Sequence, residues 1–318
     1  MLETIDRFQQ RHRVLALPLA VVKKFGDDSA GNLASLIAYY GFFSLFPLLL
    51  LFTTVLGFVL QGNPSAQKSV VHSALGSFPI VGNQLQAHSL AGSGVGLAVG
   101  IVGTLLAGLG VTLAGQNAFN QVYGVPHRER PNFLQARLRG LGTLAVLGVL
   151  QVISTAVSGA VSGGLGGVFL RIAGIVVSLL LNVVLFFATF RLLTDDSIPT
   201  RELWPGIITA SVLWEILQAV GGIYINHVVK QASNTYGTFA TVIGLLTWLH
   251  LGAQAVIFSA ELNTVLTFKL WPRSLFGPKR DEDRRALSKI AKTEERAHPQ
   301  RVHVSFEGEE EPTDRAGD

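Results

Sequence analysis

Two acidic side chains, Glu215 and Glu261, lie inside long apolar stretches of this 318-residue chain. The other 19 of its 21 acidic residues lie outside such stretches. A charge at the middle of a lipid bilayer costs about 2.5 to 3.5 kcal/mol on insertion scales, so such residues usually face a bundle interior or a wet cavity. The two glutamates are therefore the first candidates for a transport pathway, and Glu215 lies near the middle of its stretch.

Other polar residues share helix faces with these glutamates, because each residue of a helix turns by about 100°. The residues on such polar faces are Asn182 on the fourth apolar stretch, Glu215 and Gln218 on the fifth, and His250, Gln254 and Glu261 on the sixth. Several polar faces favour a shared polar interior, which makes all of these residues pathway candidates. The alternative is that they only hydrogen-bond one helix to another, which is typically worth about 0.6 kcal/mol.

Two of these side chains have further interpretations. Glu261 lies nearer the C-terminal end of its stretch, where lipid headgroups or Arg191 could neutralise it. His250 could bind an ion, relay a proton or only form a hydrogen bond. The sequence leaves these alternatives open.

A proline interrupts the first apolar stretch. Pro47 has no backbone N–H, so a helix should bend there and free a carbonyl group near the polar side chains of Tyr40 and Ser44. These three residues are candidates for the same pathway. The bend could act as a gate or only as a kink.

Six apolar stretches must position these residues. Only 14% of the residues are charged, against about 25% in typical soluble domains, and 49% are hydrophobic. A helix of about 20 residues crosses the bilayer core, because each residue adds about 1.5 Å. The composition therefore predicts an all-α integral membrane bundle of six transmembrane helices. The predicted spans are 34–60, 93–116, 139–162, 168–193, 204–229 and 240–268.

The basic residues predict the orientation of the bundle. Of the 25 lysines and arginines, 22 fall on the side of the two termini and three on the opposite side. The positive-inside rule then places both termini in the cytoplasm. The chain divides into a cytoplasmic or interfacial N-terminal segment (1–33), a transmembrane domain (34–268) and a polar cytoplasmic tail (269–318). The mixed charges of the tail favour disorder.

Small residues recur at intervals of four around the start of the second span. Gly92, Gly96 and Gly100 form a ridge that lets another helix approach closely. Such a ridge indicates packing within the chain, and it also allows a homo-oligomer.

The sequence lacks the usual residues of a catalytic centre. It has no cysteine, its eight histidines form no HExxH pattern, and there is no Walker A loop. We therefore expect no enzyme, no catalytic site, no metal and no cofactor. The positive-inside rule accounts for where the basic residues lie, so the net charge of +4 does not indicate a nucleic acid as a partner. Membrane lipids are the expected partners, because a basic cytoplasmic rim suits their anionic headgroups.

Four separated motifs make the chain resemble a known family. They are LASLIAYYGFFSLFPLLL in the first span, GQNAFNQVY in the second, LWPGIITASVLWE in the fifth, and NTYGTFATVIGLLTWLHLGAQAVIFSAELN from Asn234 to Asn263. Together they resemble the YihY/virulence factor BrkB family of bacterial inner-membrane proteins over about residues 15 to 270. The resemblance implies a multi-pass protein of the bacterial inner membrane with six helices and both ends in the cytoplasm. His250 and Ser259 stand where the family commonly has Tyr and Gly.

The resemblance also bears on function. Family members were named for ribonuclease activity, or are tied to serum resistance or envelope lipid export, and no catalytic ligands here support a ribonuclease. The resemblance and the polar faces together predict a membrane transporter, with a lipid or envelope precursor as its candidate cargo. Asn234, Tyr236 and Gly237 would shape the outer turn that leads into the pathway. The rival is a non-transporting envelope scaffold in which the polar faces only join helices.

Overall fold

A computed structural model of the protein describes residues 2–59, 94–162, 168–224, 238–277 and 280–306. In these ranges the chain forms α-helices and two short 3-10 turns, with no strand, so the predicted all-α class is confirmed there. The helices are α1 (Leu2–Arg11), α2 (Arg13–Asp27), α3 (Ala30–Val59), α4 (Gly94–Val122), α5 (Phe133–Ser162), α6 (Val168–Leu193), α7 (Trp204–Tyr224), α8 (Thr238–Thr267) and α9 (Asp281–Lys292). The 3-10 turns are His127–Glu129 and Thr200–Leu203.

Long apolar helices make up most of the fold. Among the described residues, five helices are long and apolar enough to cross a membrane, namely α3, α4, α5, α6 and α8. A helix satisfies its own backbone hydrogen bonds, which is what a segment surrounded by lipid requires. The chain is therefore a multi-pass membrane protein. The fifth predicted span corresponds to α7, which is not among those five, so a total of six stays a prediction.

Three helices extend beyond the predicted spans by at least four residues. α3 begins at Ala30 rather than at residue 34, α4 ends at Val122 rather than at 116, and α5 begins at Phe133 rather than at 139. Apolar composition marks only the part of a helix that lies in lipid. The helical backbone hydrogen bonds continue through polar residues such as Asn117 and Arg137. The hydropathy pattern leaves these residues outside the predicted spans.

α3 and α4 approach each other closely at glycines of α4. A Cβ atom on Gly100 would lie 3.0 Å from the Cα atom of Leu51, and one on Gly103 would lie 2.8 Å from the Cβ atom of Pro47. The two helices therefore meet where only a glycine leaves enough room. Gly100 belongs to the predicted ridge, of which Gly92 lies outside the described residues. Because Gly100 packs inside one chain, the homo-oligomer through this ridge stays a prediction.

The N-terminal segment folds onto the bundle as two helices. α2 continues as a helix through Pro18 and packs against α8. α1 is held by the segment after α8, because Gln9 Nε2 donates to the carbonyl of Arg273 at 2.8 Å and Asp6 Oδ1 accepts from the N–H of Leu275 at 2.9 Å. The N-terminal segment and the segment after α8 therefore meet at one end of the bundle, called the terminal end below.

α9 is an ordered part of the tail for which the sequence favours disorder. Asp283 of α9 is fully buried and accepts hydrogen bonds from the N–H of Ser274 (3.0 Å), Arg273 Nε (2.9 Å) and Lys23 Nζ (3.1 Å). Burial alone would raise the pKa of the Asp283 carboxyl, but these three donors hold the pKa below its usual value. The expectation of disorder therefore does not hold for 281–292. Composition cannot show that the Asp283 carboxylate pairs with two cations, Arg273 and Lys23.

Adding a methyl group at the α3–α4 contact should loosen the bundle. We expect Gly100→Ala to lower the free energy of unfolding by about 1 to 3 kcal/mol, because the backbone of Leu51 must move. The measurement is the midpoint of thermal unfolding in detergent. Gly142→Ala on α5 is the matched control, since nothing lies within 4 Å of its added Cβ. An unchanged midpoint for Gly100→Ala would mean that α3 and α4 pack less tightly than described.

Candidate functional site

Three charged side chains form a buried cluster at the terminal end. Lys24 of α2 is 2% exposed, and the side chains of Asp28 and Glu261 are fully buried. The Lys24 ammonium donates to Glu261 Oε2 at 2.8 Å, to the carbonyl of Val122 at 2.9 Å and to Asp28 Oδ2. This buried charge cluster, Lys24, Asp28 and Glu261, therefore joins α2 to the end of α4 and to α8.

The cluster has one ammonium group and two carboxyl groups. Asp28 Oδ1 and Glu261 Oε1 are buried without a hydrogen-bond partner among the described atoms. Burial alone would lower the pKa of Lys24, but Glu261 and Asp28 raise the pKa above its usual value. Lys24 therefore keeps its proton, and the two carboxylates compete for a single cation.

A neutral hydrogen-bond junction lies beside the cluster. Asn263 Nδ2 donates to the hydroxyl of Tyr123 at 2.8 Å, and Asn263 Oδ1 accepts from the backbone N–H of Gly206 at 3.1 Å. A Cβ on Gly206 would lie 2.5 Å from the ring of Phe190, so only glycine brings this N–H so close. Burial raises the pKa of Tyr123, whose hydroxyl therefore stays neutral.

Residues from three of the four resemblance motifs meet at these two groups. Tyr123 ends GQNAFNQVY, Gly206 belongs to LWPG, and Glu261 and Asn263 belong to the AELN that ends the fourth motif. The motif residues thus tie α4, α7 and α8 together at the terminal end.

Glu215 lies in a separate polar group between α6 and α7. Its Oε1 atom accepts hydrogen bonds from Ser178 Oγ at 2.7 Å and from Asn182 Nδ2 at 2.8 Å. Asn182 is 6% exposed, whereas Glu215 is half-buried. The structure therefore unites two of the predicted pathway residues, Glu215 and Asn182.

The other predicted residues occupy different surroundings. His250 and Gln254 are half-buried on α8, and Gln218 on α7 is exposed. Tyr40 packs where a Cβ on Gly110 would lie 2.5 Å from its ring, and Pro47 packs against Gly103. Ser44 donates to the carbonyl of Gly41 at 2.7 Å within α3. The outer-turn residues Asn234, Tyr236 and Gly237 lie outside the described part of the chain.

The partner of Glu261 differs from the sequence-based alternatives. Glu261 pairs with Lys24, whereas Arg191 pairs with Asp196 at 2.8 Å. Sequence reasoning uses Lys24 only as one of the basic residues that predict the orientation, and it does not single out Asp28. Their separation of four residues, next to a long apolar helix, is the signal that could have indicated a buried pair.

The chemistry available at these groups is binding and charge compensation. In the described ranges no three His, Asp or Glu side chains gather as metal ligands. Glu215 offers a carboxylate at the α6–α7 contact, and the buried charge cluster offers two unpaired carboxylate oxygens.

Removing the single cation should harm the fold more than removing one acid. We expect Lys24→Met to lower the free energy of unfolding by about 3 to 5 kcal/mol, because two buried carboxylates lose their partner. Glu261→Gln should lower it by only about 1 to 3 kcal/mol, since Lys24 keeps Asp28. Thermal unfolding in detergent measures both, with Arg11→Met as the control, because the Arg11 side chain at the end of α1 is exposed. The reverse order would contradict the described pairing.

Comparison with known proteins places the chain in a family. The Virulence factor BrkB family matches residues 21–283. The chain is 22% identical to the inner membrane protein YhjD of Escherichia coli, over 83% of this chain and 85% of YhjD. It is 27% identical to a UPF0761 membrane protein of Stenotrophomonas maltophilia, over 85% of this chain and 66% of that protein.

A further relative is the ribonuclease-like protein YfkH of Bacillus subtilis, which is 24% identical over 72% of this chain and 87% of its own length. No solved structure matches the chain significantly. The family match covers all the long helices described above and most of the sequence. The chain therefore belongs to the Virulence factor BrkB family.

Proposed function

We propose that the chain is a membrane transporter whose pathway passes Glu215. The observation that carries the proposal is this carboxylate, half-buried near the middle of α7 and held by two neutral donors, Ser178 and Asn182. Neutral donors solvate a charge but do not cancel it. A carboxylate kept at such a depth commonly marks the route of a substrate or an ion.

A lipid or an envelope precursor is the cargo that suits these surroundings. Leu180 on α6 is 59% exposed and Ile216 on α7 is 54% exposed, so apolar side chains flank the polar group around Glu215. An amphiphile could pass its head along Asn182 and Glu215 while its chains stay in the bilayer. No enzymatic step is part of this proposal.

The proposed topology has six spans, with α7 as the fifth, and both termini in the cytoplasm. The 22 basic residues on the terminal side support this orientation. The name of the E. coli relative, an inner membrane protein, supports the bacterial cytoplasmic membrane as the location.

The second candidate is an envelope scaffold without transport. It is favoured by the observation that Glu215 is bonded to α6, because such bonds also hold helices together. The name of YfkH would suggest a ribonuclease, but no described group here argues for RNA cleavage.

Changing the charge of Glu215 without changing its shape separates the two candidates. We expect Glu215→Gln to assemble normally, because an amide still accepts from Ser178 and Asn182, yet to lose a lipid that co-purifies with the wild type. Native mass spectrometry of gently extracted protein measures the bound lipid. Glu202→Gln before α7 is the matched control. The same bound lipid in wild type and Glu215→Gln, or none in either, would favour the scaffold.

The chain offers a clean test of its topology because it has no cysteine. Single cysteines at Gln10 and Gln300 should resist a membrane-impermeant maleimide in intact cells, and one at Gln67 should react. Permeabilised cells should label all three. Labelling of Gln10→Cys or Gln300→Cys in intact cells would overturn the proposed orientation.

A further inference from the structure

A cavity of about 610 Å³ opens at the terminal end between α9, the end of α8 and the connection after α4. It lies outside the buried charge cluster and apart from the α6–α7 contact around Glu215. The charged residues of its lining are the basic Arg284, Arg285, Lys289 and Lys292 and the acidic Asp281, so the cavity has a strongly positive wall.

Two of the basic residues are available to a ligand. Lys289 and Lys292, one turn apart on α9, make no ion pair or hydrogen bond with any residue that the structure describes. Arg285 is partly engaged, since it donates to Glu282 Oε1 at 3.2 Å. Asp281, the one acid of the lining, is exposed at the start of α9.

The position of Lys289 is unusual for an unpaired cation. Its Nζ atom lies 3.5 Å from the ring centroid of Phe268, and its side chain packs close to Gly124. Burial, together with the nearby charges of Lys24 and Lys292, lowers the pKa of Lys289 to about 8, although Asp28 acts in the opposite direction. An anion bound beside this ammonium would offset the energetic cost of burying its charge and the repulsion from the neighbouring lysines.

We propose that this cavity is a binding site for a phosphate-bearing anion. The ammonium and guanidinium groups on consecutive turns of α9 supply charged donors whose hydrogen bonds phosphate oxygens can accept, and Ser288 adds a hydroxyl donor to the lining. The volume exceeds that of a phosphate alone, and Leu270, Phe268 and Val304 offer apolar contacts to whatever carries it. The carrier is either a lipid headgroup or a soluble phosphate compound. The proposal does not depend on transport past Glu215.

The test uses the full-length protein in a neutral detergent. Isothermal titration calorimetry with inorganic phosphate and with short-chain phosphatidylglycerol measures the two sources of phosphate, and short-chain phosphatidylcholine is the zwitterionic comparison. We expect saturable binding of phosphatidylglycerol, of phosphate or of both, which tells a lipid headgroup from a free anion. Replacing both lysines, Lys289→Gln with Lys292→Gln, should weaken that binding at least tenfold.

The matched control removes the same charge elsewhere in the tail. Arg296→Gln with Arg301→Gln changes two exposed residues outside the cavity and should leave the affinity unchanged. Lys292→Gln alone changes an exposed side chain, so it should fold normally and still weaken binding about threefold. Absence of saturable binding by the wild type, unchanged binding by the double lysine variant, or an equal loss in the arginine control would overturn the proposal.

Discussion

One ammonium group, that of Lys24, connects three segments that are far apart in the sequence. It donates to a carboxylate of its own helix region, to the last carbonyl of α4 and to Glu261 of α8. A buried ion pair contributes little net stability compared with a well-packed apolar contact, because desolvation offsets most of the attraction. Its physical effect is to favour one register of α2 along α8, since any other register would leave buried charges without partners.

Contacts in the rest of the bundle follow from the absence of a hydrophobic driving force between helices in lipid. α3 and α4 use glycine to bring backbones together, as Gly100 shows. α6 and α7 are joined by hydrogen bonds to Glu215, and α4, α7 and α8 by those of Asn263. Different pairs of helices thus use different contacts.

The helices themselves were largely predictable, because each long apolar run must satisfy its backbone within lipid. Glu215 and Asn182 were identified from their helix faces, and the structure unites them. The partner of Glu261 was not predictable, because a lysine 237 positions earlier carries no sequence signal of that contact. The order of α9 was missed for the same reason, since Asp283 is stabilised by residues outside its own helix.

The long separation between Lys24 and Glu261 has a consequence for how the protein is made. α2 leaves the ribosome before the long helices α3 to α8, and α8 is the last of these to follow it. The ion pair between Lys24 and Glu261 can therefore form only after α8 has been made. Closure of the terminal end is therefore a late step in assembly. A chain truncated before residue 261 would leave Lys24 without its partner on α8.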